Sequence, residues 1–147
     1  MKKAIVLAAA LAFGGASMAQ SVLSKQDVKE LVTSMVEAYK AGKANGMKEV
    51  EADCWKDRKR GEDGLEGGVL VCSLVSVTGH AIESLESDKR KRKIAAYWVD
   101  DAMAQRIANN VKRVGMSEKT FDQKIQREID KHTDFIAETL VKAGIGV

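Results

Sequence analysis

Ser76, His80 and Glu83 lie four and three residues apart, a spacing that on a helix places a hydroxyl, an imidazole and a carboxylate on one face. These are the parts of a hydrolytic triad. Three groups on one straight helix, however, neither converge on a substrate atom nor bring an oxyanion hole with them. His132 falls between Ile129 and Ile136 on an apolar face, the position of a core or boundary histidine. Two isolated histidines do not make a zinc site, and His80-Ala81-Ile82-Glu83 reverses the Glu-x-x-His order of di-iron bundles. Asp57, Glu62, Asp63 and Glu66 supply oxygen ligands beside glycines, but without the alternating-acid spacing of a calcium loop. The chain is therefore expected to bind and not to catalyse, with no metal and no cofactor.

Charge and aromatic residues point to where binding could occur. Blocks of opposite sign alternate along the chain, +3 over residues 56–60, −5 over 61–87 and +5 over 88–115. Five consecutive cations, Lys89, Arg90, Lys91, Arg92 and Lys93, are followed by Ile94, Tyr97 and Trp98, and Trp55 precedes the second basic run, which holds Arg58 and Arg60. A cation beside a large aromatic ring is the composition of interface hot spots and of sites for anionic ligands. The competing expectation is local neutralisation, with Glu86 four residues before Arg90 and with Glu62, Asp63 and Glu66 folding over the cations. Trp55 beside a half-cystine is expected to pack on the disulfide.

The first residues read as an address. Met1-Lys2-Lys3 is a short positive region, ten uncharged apolar residues follow, and Ser17-Met18-Ala19 places small residues at a cleavage site, the pattern of a secretory signal peptide. Cleavage after Ala19 takes 19 of the 147 residues and leaves 128, and the loss of Lys2 and Lys3 lowers the formal charge from +3 to +1. The apolar run is about half the ~20 residues needed to span a bilayer, and no later stretch is read as a membrane span. Export makes a Cys54–Cys72 disulfide the expected state of the two cysteines, with intermolecular pairing as the alternative. An exported chain of near-neutral charge is a poor match for nucleic acid.

The elements that must position these residues follow from apolar periodicity and from the absence of proline in 147 residues. Ser24 caps a helix whose face reads Val28, Leu31, Val32, Met35, Val36 and Tyr39, and Gly42 with Asn45-Gly46 ends it. Met47, Val50 and Cys54 mark a short helix, and residues 56–68 form a charged, Gly-rich loop inside the disulfide ring. Val71, Leu74, Val75, Thr78, Ala81, Ile82 and Leu85 make one helical stripe across 69–85, too long for a typical strand. Continuing that stripe would bury Lys89, Arg92 and Lys93, so a break is expected at 84–88 with Ser87 or Asp88 as the next cap. A helix over 89–114 follows, stopped by Gly115. Ser117 then caps a last helix with the face Phe121, Ile125, Ile129, His132, Ile136 and Leu140, closed by Gly144.

The sequence thus predicts an all-α, single-domain bundle over 20–147, four main helices plus one short one, stapled by one disulfide. Its general plan is similar to that of small exported helical immunity proteins that neutralise cell-wall-attacking toxins. The expected function is that of a periplasmic or secreted protein-binding module, an inhibitor or immunity-type protein whose partner is another exported or envelope protein. The alternative is binding of an anionic small molecule or envelope component through the two basic runs.

Overall fold

The computed structural model describes residues 23–147, and the expected signal and cleavage site lie outside them. All regular structure among the described residues is helical. Ser24 begins α1 (Lys25–Lys56) with a capping box: its hydroxyl accepts from the Asp27 N–H at 3.1 Å while the Asp27 carboxylate accepts from the Ser24 N–H at 3.0 Å. The expected break at Gly42 is a kink at Lys43 (φ 55°, ψ −146°), beyond which the helix continues. The helix and the short helix read from the sequence are therefore two arms of one element. The bend brings the Ala38 carbonyl so close to Gly46 that a Cβ there would sit 2.3 Å from its oxygen, and glycine is required.

After a loop, Gly64 (φ 69°) admits α2 (Leu65–Arg90), the central helix, which packs against α1, α3 (Asp100–Arg113) and α5 (Gln126–Lys142). The Cys54–Cys72 disulfide joins α1 to α2 across a Cα–Cα distance of 5.6 Å. Contrary to the sequence reading, α2 is long and apolar enough to cross a membrane by length and composition, but 72% of its most apolar stretch is buried in the bundle. Burial on all sides explains that composition here: a helix covered by three others needs no polar face.

The expected break at 84–88 and the expected helix over 89–114 are both corrected. α2 runs on to Arg90 and stops where Lys91 takes a left-handed conformation (φ 53°). The cations thus sit at a helix C-terminus, where the dipole favours positive charge, and not at an N-terminus, where it would oppose it. Stopping at Lys91 also spares the chain from burying Arg92 and Lys93. An irregular stretch and one 3₁₀ turn (Ala96–Trp98) lead into α3.

Gly115 (φ 81°) reverses the chain, and the Ser117 hydroxyl accepts from the Thr120 N–H at 3.1 Å, as its capping role predicts. The last helical run passes from α4 (Glu118–Thr120) through a π-helical segment (Phe121–Ile125) into α5. Beyond Gly144 (φ 84°), Ile145 is buried and the Gly146 N–H donates to the Glu86 carboxylate at 2.8 Å, tying the C-terminus to α2.

Candidate functional site

The basic run beyond α2 divides by residue type. Arg92 turns back nine residues to grip Glu83, Nη1 to Oε1 at 2.6 Å and Nη2 to Oε2 at 3.2 Å, and Nη1 also donates to the Ser87 hydroxyl at 2.7 Å. The Ala95 N–H donates to the same Glu83 oxygen at 3.1 Å. Burial pushes the Glu83 carboxyl up, but the Arg92 hydrogen bond, the Ala95 N–H and the Arg92 charge outweigh it and hold the group below the usual carboxylate value. Arg90 pairs with Glu86 at 3.5 Å, as its spacing predicts. Lys89, Lys91 and Lys93 remain exposed.

Trp98 and Arg58, expected on a binding surface, are buried. Trp98 is 0% exposed, its ring lies against Gly79 where a Cβ would approach it to 2.4 Å, and its Nε1–H donates to the Ala44 carbonyl at 3.2 Å. It is a wedge between the kinked α1 and α2. Arg58 lies across Gly68 and has Glu62 at 3.8 Å. Arg60 leans on Gly115 and donates to the Arg113 carbonyl at 3.4 Å. Glu66 turns to Lys124 at 3.0 Å.

The triad-like residues point three ways. The Ser76 hydroxyl donates to the Cys72 carbonyl at 3.1 Å and accepts from the indole N–H of Trp55, which is buried beside the disulfide. His80 Nδ1 meets the Trp98 carbonyl at 2.6 Å, an acceptor that requires the proton on Nδ1, and Nε2 stands 4.0 Å from Asp100. Glu83 belongs to Arg92. His132 is buried on the apolar face of α5, and that burial lowers its pKa, Glu128 opposing the shift and Lys131 adding to it.

Sequence reasoning missed a second buried ionic centre. Glu51, 1% exposed on α1, receives Arg106 Nε at 2.8 Å and Nη2 at 3.2 Å, and the Tyr97 hydroxyl at 2.5 Å. Burial, with the Glu51 hydrogen bond and charge, pushes the Tyr97 phenol well above its ordinary value. The Arg106 guanidinium also donates to the Tyr97 carbonyl and stacks 3.5 Å from the Tyr97 ring centroid. The available signal was Glu51 itself, a carboxylate beside the apolar stripe of Met47, Val50 and Cys54 that must be partnered if buried.

A groove of about 830 Å³ lies elsewhere, between α3 and the 116–129 segment. Both walls pack on α2, and the π-helical turn lies in one of them. Val77 of α2 lies at the base, with Met103, Ile107, Val111, Met116 and Ile129 completing an apolar floor. Polar residues stand at the edges: Gln105, Asn109 and Lys112 on the α3 side, Glu118 and Asp122 on the other.

Fold and site together define a disulfide-stapled all-α bundle with an apolar groove. No protein-family model matches the chain, and no curated protein or solved structure matches it with significance.

Proposed function

We propose that the chain is an exported helical module that binds another exported or envelope protein, as an inhibitor or immunity-type protein does, and that the partner docks an amphipathic helix in the groove beside α3. The observation that carries this reading is the sorting of the groove. Its buried lining is apolar, and apart from the half-buried Gln126 its polar residues stand on the exposed edges, the anatomy of a protein interface. A small-molecule site would instead aim a few polar groups into the floor. Met103 and Met116 add adaptable side chains suited to receiving a partner's apolar residues. Lys112 on one edge against Glu118 and Asp122 on the other fits a helix with charges of opposite sign on its two flanks.

The basic run is the weaker candidate, since the Trp98 indole is enclosed and Arg90 and Arg92 are paired. A photo-reactive residue at Ala108, exposed on the groove edge, tests the proposal by reporting whether the partner lies there.

A further inference from the structure

α3 carries a second face, and what gathers there is charge. Arg106, Asn110 and Arg113, spaced along one side of α3, look across to Lys56 and Lys59 at the end of α1, with Tyr97 and Glu51 between them. These residues line a cavity of about 520 Å³. Its lining holds four cations and one carboxylate, and that carboxylate is already held by Arg106 and Tyr97.

Arg106 is paired with Glu51 at 2.8 Å, but the other three cations here differ from the paired cations of the bundle. Arg92, Arg90, Arg58, Lys124 and Lys131 each have a carboxylate within ion-pair distance. Arg113 is fixed by neutral groups: Nη2 donates to the Trp55 carbonyl at 2.6 Å, Nη1 to the Arg58 carbonyl at 3.1 Å, and Nε reaches Asn110 Oδ1 at 3.4 Å. A guanidinium has five N–H groups, so Arg113 and Arg106, each using three on protein acceptors, keep two apiece. Lys59 reaches only the Lys56 carbonyl, at 3.4 Å, and among the described residues neither Lys56 nor Lys59 is in an ion pair. Lys48, on the same face of α1, lies 4.8 Å over the Tyr97 ring at the far end. Arg113, pre-oriented by backbone carbonyls, stands beside Arg106, which Glu51 and the Tyr97 carbonyl hold, and with two exposed ammonium groups opposite they leave an excess of positive charge that a compact polyanion would neutralise.

We infer that this cavity is a binding site for a phosphate group, of the size of a diphosphate or a phosphorylated headgroup, with Arg113 and Arg106 as the fixed donors and Lys56 and Lys59 closing over it. It is independent of whether a protein occupies the groove, since it uses the opposite side of α3. It also relocates the expected anion site: none of Lys89, Arg90, Lys91, Arg92, Lys93, Arg58 and Arg60 lines the cavity.

Isothermal titration of the full folded protein with inorganic pyrophosphate, and co-sedimentation with phosphatidylglycerol vesicles against phosphatidylcholine controls, test the site and tell its two sources apart. Lys56→Glu/Lys59→Glu, both exposed positions, is expected to weaken binding at least tenfold with an unchanged helical circular dichroism spectrum, and Lys89→Glu/Lys91→Glu to leave it within twofold. Loss confined to pyrophosphate marks a soluble phosphate ligand, and loss confined to vesicles marks a lipid headgroup; either supports the site. Absence of binding to both probes at millimolar phosphate, or equal losses in the two double variants, overturns it.

Discussion

Arg92 and Arg113 each carry a guanidinium across from one segment to another, and the atoms that receive them differ in kind. Arg92 meets the buried Glu83 carboxylate, so its charge is cancelled where it lands. Arg113 meets the Trp55 and Arg58 carbonyls, so the geometry is fixed while the charge is left over. The first arrangement closes the end of α2. The second closes the end of α1 and leaves a positive cavity beside it. A guanidinium in this chain is thus neutralised where a buried carboxylate receives it, and its charge is left over where only backbone oxygens and an amide hold it.

The largest expected effect falls on the α1 side, where Cys54 adjoins the Trp55 carbonyl that Arg113 uses. Cys54→Ser/Cys72→Ser is expected to lower stability by about 3 kcal/mol, within the usual span for a native disulfide, read by urea denaturation. A loss under about 1 kcal/mol would show that the direct packing of α1 on α2 holds the two helices without the staple.

Next comes the direct contrast. Arg92→Ala leaves Glu83 buried and unpaired, at a cost of about 2 kcal/mol, below the 3–5 of a fully buried pair, because Arg92 is itself 38% exposed. Arg113→Ala leaves two carbonyls, which tolerate an unfilled lone pair better than a carboxylate tolerates isolation, and should cost about 1 kcal/mol. The reverse order of the two in denaturation midpoints would break the comparison.

Acid separates the two regions more gently. Glu83 and Glu86 have folded-state pKa values below their ordinary value of 4.5, so the stability they contribute is fully present above 4.5 and is lost as pH falls through the lower folded-state values. The carbonyls that hold Arg113 do not titrate. Amide exchange at residues 91–95 should therefore accelerate between pH 5 and pH 3 relative to exchange around 110–113, after correction for the intrinsic rates. Equal acceleration in both places would contradict the distinction.

How far these regions were legible in the sequence depended on how local their physics is. The Ser24 and Ser117 caps, the Gly115 and Gly144 turns and the 69–85 stripe are set by neighbours within one or two turns, and each appears where the spacing put it. The disulfide pairing followed from there being two cysteines. The end of α2 was misread because an apolar stripe that gives way to Glu83, Glu86 and Lys89 looks like a helix leaving the core, when the acids stay inside and draw Arg90 and Arg92 back to them. Trp98 was misplaced because its cover, Gly79 and the Ala44 carbonyl at the α1 kink, comes from distant parts of the chain. The groove has no local signal at all: it is built by α3 and the 116–129 segment, which come together only because both pack on α2.

The central claim is that a partner protein docks in that groove and not on the basic run. A photo-reactive amino acid placed in turn at Ala108 and at Lys91, both exposed, reads it directly when the protein is exposed to envelope extract. The account predicts one dominant covalent adduct from Ala108, abolished by filling the groove with Ala104→Trp, and none of the same mass from Lys91. The same adduct from Lys91 with none from Ala108 would contradict it.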